Sequence, residues 1–202
     1  MGNDHRTVIF GNGTLKKDFL KILRPDDYII GVDRAAYWLL KNNIIPDLAI
    51  GDFDSTSPYE LKRIKERVKT IKIYPKNKNF TDMELAIRQA KGEVYIFGGS
   101  GTRLDHTMAT LFTITTQICI DETNRTRKIS KGRTILKPGG YRYVSILPIT
   151  SSIVISLSKF KYNLTKTKIL RGSTRGISNE FAGRQAVIRL FTGKAWVIES
   201  RD

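Results

Sequence analysis

The hydrophobic pattern of the chain changes near residue 120, and this change limits the folds that the sequence can adopt. Over the first 120 residues, short apolar runs typical of buried strands alternate with segments of helical periodicity. The helical segments include residues 15–23 and residues 103–120. Strands that alternate with helices favour a mostly parallel sheet with helices on both faces. The N-terminal part is therefore predicted to be an α/β domain.

The second part of the chain contains short β-type runs separated by turns. Residues 121–133 are polar and basic and show almost no apolar periodicity, which suits a linker or a loop-rich connection. The β-type runs that follow lie at residues 141–147, 153–157, 168–170, 186–191 and 195–198. This spacing predicts a small antiparallel sandwich or barrel. At about 70 residues such a unit is marginal alone, so we expect it to pack on the first domain or on a partner subunit.

The chain carries a formal net charge of +16, which allows nucleic acid as a partner. The basic residues are scattered over predicted helix faces, and no RNA-recognition, helix-turn-helix or zinc-finger pattern is found. A field that attracts a small polyanion such as ATP is the alternative. The sequence therefore argues against nucleic acid as the main partner.

The sequence also bears on location. No apolar run approaches 18 residues, and the polar start at residues 1–6 does not have the pattern of a signal peptide. We expect no membrane span and a cytoplasmic protein.

The single cysteine, Cys119, falls in the apolar part of the helix predicted at residues 103–120. It cannot form an intrachain disulfide, and we expect a buried structural thiol. The two histidines, His5 and His106, are too few to favour a His-based zinc site.

Acidic residues interrupt this basic chain where predicted strands end or helices begin. They lie in residues 31–33, 51–55, 81–84 and 103–106. In an open α/β sheet, ligands bind at the carboxyl ends of the strands. Carboxylates that converge there need a cation, and Mg²⁺ prefers oxygen ligands. The metal would in turn hold the phosphates of a nucleotide.

Each acidic motif also has a plainer interpretation. On an extended segment, Asp52 and Asp54 would face the same way and share one cation. The alternative is an Asp-rich turn with Asx-type hydrogen bonds. Asp82 and Glu84 fall in the first turn of a predicted helix, where negative charge is favoured by about 0.3–1 kcal/mol. Glu84 also fits the partner position of a capping box.

Two glycine-rich turns follow predicted strands. The turn at residues 98–102 offers backbone N–H groups ahead of a helix N-terminus, which is the geometry of a phosphate cradle. It matches neither the P-loop nor the dinucleotide fingerprint. The turn at residues 11–13 is the weaker candidate and is predicted to be only a tight turn.

Taken together and in order, these motifs resemble those of the thiamine pyrophosphokinase family. Residues 46–55 (PDLAIGDFDS) are similar to its P-D-x-x-x-G-D-F-D-S block, and residues 78–84 (KNFTDME) to its K-D-x-T-D-x-E block. Residues 101–106 (GTRLDH) are similar to its G-G-R-x-D-H block, and residues 176–180 (GISNE) match its S-N-E signature. The resemblance implies an ATP-binding α/β domain over residues 1–124 and a thiamine-binding β-sandwich over residues 125–202, with a boundary within 121–136.

The resemblance implies an enzyme that transfers diphosphate from ATP, its co-substrate, to the hydroxyethyl oxygen of thiamine and releases AMP. It implies that Mg²⁺ and the phosphates are surrounded by Asp33, Asp52, Asp54 and Asp82, one of which helps to deprotonate the hydroxyl. The catalytic residues are then Asp54, Asp82 and Arg103. The implied ATP-phosphate residues are Gly99, Gly101, Thr102, Arg103, Asp105 and His106. His106 as a plain helix-terminal residue remains an alternative.

In the sandwich domain, the resemblance implies that Tyr162 stacks on an aromatic ring of thiamine. Ser178 and Asn179 would hydrogen-bond its pyrimidine. Because Phe160 and Leu164 alternate with polar neighbours on either side of Tyr162, a plain core residue is the alternative. The family is dimeric, which implies a homodimer whose thiamine sites each combine the α/β domain of one chain with the sandwich of the other.

Three positions depart from the family pattern. Asn79 stands where the family usually has Asp, Thr102 replaces a Gly, and Thr110 lies where Asn is common. The first removes one negative charge from the implied metal cluster, and the second narrows the backbone freedom of the loop. The alternative to an active enzyme is therefore a non-catalytic nucleotide- or thiamine-binding protein of the same fold. We favour the enzyme because the four carboxylates are retained.

Overall fold

The computed structural model describes residues 5–202, which divide between Asp121 and Glu122 into two units. The first four residues of the predicted polar start lie outside this range. Within it, no helix has both the length and the apolar character needed to cross a membrane.

The first unit is built on a parallel sheet. Its strands are β1 (Arg6–Phe10), β2 (Tyr28–Val32), β3 (Leu48–Gly51), β4 (Thr70–Ile73), β5 (Glu93–Phe97) and β6 (Ile118–Ile120). They lie in the order β6-β5-β1-β2-β3-β4, and the pairings between these neighbours are parallel. The helices are a 3₁₀ helix (Lys17–Ile22), α1 (Arg34–Lys41), α2 (Pro58–Arg67), α3 (Asp82–Gln89) and α4 (Leu104–Thr113). The predicted α/β domain with a mostly parallel sheet is confirmed.

Apolar side chains from the strands pack against the helices in separate clusters. In one of them the rings of Phe10 and Phe97 stack at 5.5 Å, and Phe19 of the 3₁₀ helix stacks on Phe97 at 4.8 Å. Another cluster joins Ala49 of β3 to Ile64 of α2. This burial of apolar area is the main force that holds the helices on the sheet.

Two helices begin at capping residues. Ser57 accepts the N–H of Glu60, and the Glu60 carboxylate accepts the N–H of Ser57 at 2.9 Å, which is the predicted capping box. Thr81 likewise accepts the N–H of Glu84 at 3.1 Å. The Glu84 carboxylate, however, binds Arg88 at 2.9 Å instead of returning to the cap, so the second capping box is only half formed.

Two predicted helices are shorter in the structure. The first, at residues 15–23, is the brief 3₁₀ helix. The second, at residues 103–120, ends at Thr113, and the last part of that segment forms β6. The β-branched residues that follow Thr113, such as Ile114 and Ile118, disfavour helix and favour strand. Cys119 therefore lies in a strand, where burial raises the pKa of its thiol to about 12, as suits an unreactive structural residue.

The second unit consists of two antiparallel sheets. Its strands are β7 (Asn124–Ile129), β8 (Gly132–Leu136), β9 (Tyr143–Pro148), β10 (Ser152–Ser158), β11 (Leu164–Leu170), β12 (Asn179–Glu180), β13 (Ala186–Thr192) and β14 (Ala195–Ser200). One sheet has the order β12-β9-β14-β7 and the other β11-β10-β13-β8. Alternate residues, such as Ile146, Ile155 and Val197, point into a shared apolar core. The predicted sandwich is confirmed.

Residues 121–133, predicted as a linker, instead contain β7 and the start of β8. The sequence of β7 is polar and did not indicate a strand, because its inward-facing residues are Arg125 and Arg127. These arginines contact Glu199, a buried carboxylate on β14. These arginine side chains are 22% exposed, and such partial burial of a charge is favourable only when the charge is paired. The residues that make β7 a strand are therefore distant in sequence.

Candidate active site

Three carboxylates meet at the carboxyl ends of neighbouring strands in the first unit. Asp33 follows β2, Asp52 follows β3, and Asp82 is the first residue of α3. One side-chain oxygen from each lies within 4.8 Å of the other two. Asp33 is buried, and the other two are partly buried. This is the edge of a parallel sheet where ligands bind.

The backbone that carries these carboxylates is strained. Asp33 has φ 47° and ψ −125°, and Phe53 has φ 57°, regions that non-glycine residues rarely occupy. Asp33 stands at the N-terminus of α1, but its side chain does not cap that helix. Its Oδ1 instead accepts the N–H of Phe53 at 3.0 Å, which ties the end of β2 to the segment after β3. A Cβ at Gly51 would come within 1.8 Å of that oxygen, so this position requires glycine. Strain of this kind is common at functional sites.

Asp54 lies outside the three-carboxylate cluster. The chain turns at Phe53, so the segment is not extended as expected, and Asp54 is not among the carboxylates whose oxygens lie within 4.8 Å of one another. The Asp54 N–H donates to Asp52 Oδ1 at 3.2 Å, which is the Asx-type hydrogen bond of the alternative interpretation. The Asp54 carboxylate pairs with Lys76 at 3.1 Å. Asp52 is thus both part of a turn and part of the cluster.

A lysine that the sequence analysis did not single out lies among the carboxylates. Lys78 Nζ is 2.6 Å from Asp52 Oδ2 and 3.2 Å from Asp82 Oδ1, and the Lys78 side chain is only 11% exposed. Asp82 Oδ1 is buried, and no described residue donates a well-directed hydrogen bond to it. The only sequence signal for this lysine was its place inside the 78–84 block. Its partner Asp52 is 26 residues away, so their contact could not be predicted from local spacing.

The electrostatics of the cluster favour a bound cation. Burial raises the pKa of Asp33 to about 7, and the charges of Asp82 and Asp52 add to the rise. Burial also raises the pKa of Asp82, with Lys78 opposing it. Burial acts in the same direction on Asp52, but Lys78 and the Asp54 N–H together hold its pKa below the ordinary value. These carboxylate oxygens are the type of ligand that Mg²⁺ prefers. Asp82 Oδ1, which receives no well-directed hydrogen bond from the described residues, is open to such an ion.

The raised pKa of Asp33 gives a pH dependence that can be measured. Asp33 binds a proton in the folded state up to about pH 7 but loses it near pH 3.9 when unfolded. The folded state thus holds more protons in this interval, so stability in EDTA should fall as pH rises from about 4 to 7. Asp33→Asn keeps an acceptor for Phe53 and removes the charge. We expect it to be more stable than the wild type at pH 8 by about 2–4 kcal/mol, and equal to it at pH 4. Urea unfolding in EDTA at both pH values tests this, and parallel pH profiles for the two proteins would contradict it.

The glycine loop after β5 lies against the glycine turn after β1. Gly13 N–H donates to Gly98 O at 2.9 Å, and Thr14 N–H donates to Ser100 O at 3.1 Å. A Cβ at Gly13 would come within 2.0 Å of Ser100 O, so the turn predicted only as a tight connection fixes the shape of the loop. The backbone N–H groups of Ser100 and Thr102 donate to no group among residues 5–202. They remain available to an anionic ligand.

The loop and the carboxylates line one cleft of about 600 Å³. Of the sequence-predicted residues, it is lined by Asp33, Asp52, Asp54, Asp82, Gly99, Gly101, Thr102, Arg103 and His106. Asn79 and Thr110, which depart from the family pattern, line it as well. Asp105 is not part of the lining. It is exposed and pairs with Arg103 at 2.5 Å.

The three residues predicted to bind an aromatic ligand lie close together in the second unit. Tyr162 is 61% exposed whereas Phe160 is 1% exposed, so the core alternative is wrong for Tyr162. Asn179 Oδ1 accepts the N–H of Tyr162 at 3.0 Å, and Asn179 Nδ2 donates to Tyr162 O at 2.7 Å. Its amide is therefore engaged in holding the backbone of Tyr162. Ser178 has φ 55°, and its N–H donates to Ser145 Oγ at 3.0 Å.

Comparisons with known proteins place this geometry in a family. A family model described as thiamin pyrophosphokinase, catalytic domain, matches residues 19–125. A second, described as thiamin pyrophosphokinase, vitamin B1 binding domain, matches residues 133–195. The chain belongs to the thiamine pyrophosphokinase family. The carboxylate cluster and the glycine loop fall within the first match, and Tyr162, Ser178 and Asn179 fall within the second.

Individual members of the family are similar over nearly the whole chain. The thiamine pyrophosphokinase of Bacillus subtilis (strain 168) is 33% identical over 186 residues, which cover 86% of this chain and 87% of that protein. The crystal structure of a Bacillus subtilis thiamine pyrophosphokinase superposes with a TM-score of 0.88 at 28% identity, covering 98% of this chain and 99% of the other. The thiamin pyrophosphokinase structure from Geobacillus thermodenitrificans gives a TM-score of 0.87 at 28% identity, covering 98% of each chain.

Proposed function

We propose that this chain is an active enzyme that transfers diphosphate from ATP to the hydroxyethyl oxygen of thiamine, with Mg²⁺ as cofactor, to give thiamine diphosphate and AMP. Family membership supports the reaction class. The observation that carries the proposal is the clustering of Asp33, Asp52 and Asp82 in a cleft that also contains the glycine loop. Without a bound cation these carboxylates repel one another, so their clustering beside the glycine loop supports a metal that binds together with the phosphates.

Asp33, Asp52 and Asp82 are the residues proposed to hold Mg²⁺. When bound there, the metal would orient the phosphates and neutralise charge that develops on them. The free N–H groups of Ser100 and Thr102 would bind phosphate oxygens from the loop side, as backbone amides do in other phosphate cradles.

Arg103 is proposed to bind phosphate oxygens through its guanidinium fork. In the structure it pairs with Asp105, and both side chains are about two-thirds exposed. Exposed ion pairs contribute little to stability, so Arg103 can leave Asp105 for a phosphate at small cost. Asp105 would then act as a resting partner of Arg103. His106 lines the same side of the cleft and would close it.

Asp54 is proposed as the general base that takes the proton from the thiamine hydroxyl. It lines the cleft but lies outside the metal cluster, so its carboxylate remains available as a proton acceptor. Its partner Lys76 is 81% exposed and can move away without leaving a buried charge.

The thiamine ring is proposed to stack on Tyr162, with Ser178 at the edge of the same site. The two hydrogen bonds of Asn179 hold the backbone that carries the exposed ring of Tyr162, so little backbone freedom is lost when a ligand binds. We further propose a cytoplasmic homodimer in which the sandwich of one chain and the α/β domain of its partner form each thiamine site. Family resemblance supports this arrangement.

Tyr162→Leu tests the stacking role. The substitution keeps apolar area but removes the aromatic face, which is worth about 0.5–1.5 kcal/mol beyond area. We expect the KM for thiamine to rise about 3- to 10-fold with the KM for ATP unchanged. Tyr59→Leu is the matched control, because Tyr59 is also well exposed but lies on α2 of the first unit. Equal thiamine KM values for Tyr162→Leu and the wild type would remove Tyr162 from the site.

The function itself is tested by incubating the protein with ATP, thiamine and Mg²⁺ and separating the products by chromatography. We expect equal amounts of AMP and thiamine diphosphate. Release of ADP with thiamine monophosphate would mean transfer of a single phosphoryl group and would contradict the proposal. Binding of thiamine without turnover would favour the non-catalytic alternative.

A further inference from the structure

Lys78 is the least exposed cation of the cleft, and it contacts two of the proposed metal ligands. Its Nζ lies 2.6 Å from Asp52 Oδ2 and 3.2 Å from Asp82 Oδ1, and the three side chains are 11%, 12% and 18% exposed. Burying the Asp52 and Asp82 carboxylates near each other requires a positive charge. In the structure this charge is the Lys78 ammonium.

We propose that Lys78 is a positioning residue that holds Asp52 and Asp82 before Mg²⁺ binds, and then moves onto a phosphate oxygen of the nucleotide. This inference rests on the proposed function, since it takes the three carboxylates to be the Mg²⁺ ligands. Mg²⁺ binds oxygen at about 2.0–2.1 Å. An ammonium that kept its contacts with the same carboxylates would lie within a few ångströms of the dication and repel it. The metal and Lys78 therefore compete for Asp52 and Asp82.

The cleft offers Lys78 a second partner only when nucleotide is present. Lys78 lines the same cleft as the glycine loop and Arg103. Its side chain is a point charge on a flexible four-carbon stem, and lysine is a common partner of phosphate oxygens. A triphosphate bound along the loop would bring negative charge to within reach of that stem. After the exchange, the carboxylates face the metal and the ammonium faces phosphate, so each buried charge keeps a partner.

The exchange makes the binding of metal and of nucleotide depend on each other. Metal alone must displace Lys78 without providing an anion to receive it. Nucleotide alone meets the carboxylates while Lys78 remains engaged by them. When both bind, each removes the obstacle to the other, and such coupling is reciprocal by thermodynamic necessity. Lys78 is thus expected to suppress metal binding to the free protein and to support nucleotide binding to the metal-loaded protein.

Lys78→Met tests this without measuring turnover. Methionine has a similar length and no charge. The probe for metal is Mn²⁺ alone, whose free ion is counted by electron paramagnetic resonance during a titration of the nucleotide-free protein. We expect Lys78→Met to bind Mn²⁺ at least about 5-fold more tightly than the wild type, the low end of typical coupling between sites. The matched control is Lys72→Met, which removes an exposed lysine that contacts Gln89 and, within residues 5–202, no carboxylate. It should bind Mn²⁺ as the wild type does.

The second measurement is the Kd of α,β-methylene-ATP, an analogue that blocks cleavage of the bond broken in diphosphate transfer, at saturating Mg²⁺. We expect Lys78→Met to bind it about 10-fold more weakly, because the phosphate loses its ammonium partner. Thermal unfolding in EDTA is the check on folding. Lys78→Met should melt at a lower temperature there, because Asp52 and Asp82 lose their counterion, and Mg²⁺ should restore it.

The outcomes separate the two proposals. Mn²⁺ affinity that is unchanged or weaker in folded Lys78→Met would overturn the exchange, because Lys78 would then not compete with the metal. Tighter Mn²⁺ binding with unchanged analogue affinity would overturn the move onto phosphate. If the wild type forms no thiamine diphosphate and yet both shifts occur, the proposed function fails while the exchange stands.

Discussion

Asp82→Asn should lower turnover by at least about 10²-fold, the scale of losing one preorganised electrostatic contact. Asparagine has the same shape, so the change removes only charge. The start of α3 should persist, because Thr81 and not Asp82 provides the capping oxygen. Since burial raises the pKa of Asp82, the charged form is not favoured by the fold. We therefore expect the free energy of unfolding in EDTA to change by less than about 1 kcal/mol.

Glu84→Gln is the matched control for Asp82→Asn. Glu84 lies in the same first turn of α3 and carries the same charge, but its carboxylate binds Arg88. Steady-state rates at saturating ATP, thiamine and Mg²⁺ should fall for Asp82→Asn alone. If both variants lose the same activity, then turnover depends on negative charge at the start of α3 in general and not on Asp82 as a metal ligand. If Asp82→Asn retains normal turnover, Asp82 does not belong to the centre.

The approach of Asp33 and Asp52 could be predicted because it follows from topology, whereas Asp82 reaches them from the start of α3. The carboxyl ends of neighbouring parallel strands lie at one edge, so residues that end β2 and β3 must approach each other whatever the rest of the chain does. The placement of Asp54 could not be predicted in this way. It depends on the positive φ of Phe53, which is fixed by a hydrogen bond to Asp33, 20 residues earlier. Local spacing contains no information about such a bond.

The parts of the site that were missed depend on contacts between distant segments. Lys78 acquires its position from Asp52, 26 residues away, and the turn at Gly13 acquires its importance from Ser100. In the second unit, alternation predicted β10 and β13 because their apolar residues face one core. It failed for β7, where the alternating side chains are Arg125 and Arg127. The partial burial of these arginines is explained only by their contacts with a partner on β14.

That partner, Glu199, provides the largest expected effect on stability. Its side chain is 0% exposed, and its carboxylate accepts from Arg125 Nε at 2.8 Å and from an Arg127 guanidinium nitrogen at 3.1 Å. Removing one member of a buried ion pair costs about 3–5 kcal/mol, because the remaining charge stays buried without compensation. Glu199→Gln keeps the shape of the side chain and removes only its charge. We expect a loss of this size in the free energy of unfolding of the second unit, measured by urea denaturation.

Glu180→Gln is the control for Glu199→Gln, because Glu180 also pairs with a lysine and an arginine but at the surface. Its replacement should change stability little. Both variants break contacts with two cations, so a difference between their free energies of unfolding measures the effect of burial and not of the lost charge alone. Arg127 Nε is buried and has no hydrogen-bond partner among residues 5–202 even in the intact cluster, so Arg127 depends strongly on Glu199 for compensation. A loss at Glu199 as small as that at Glu180 would mean that water reaches the arginines once Glu199 is neutral. β7 would then be held by its backbone pairing with β14 and not by the buried charges.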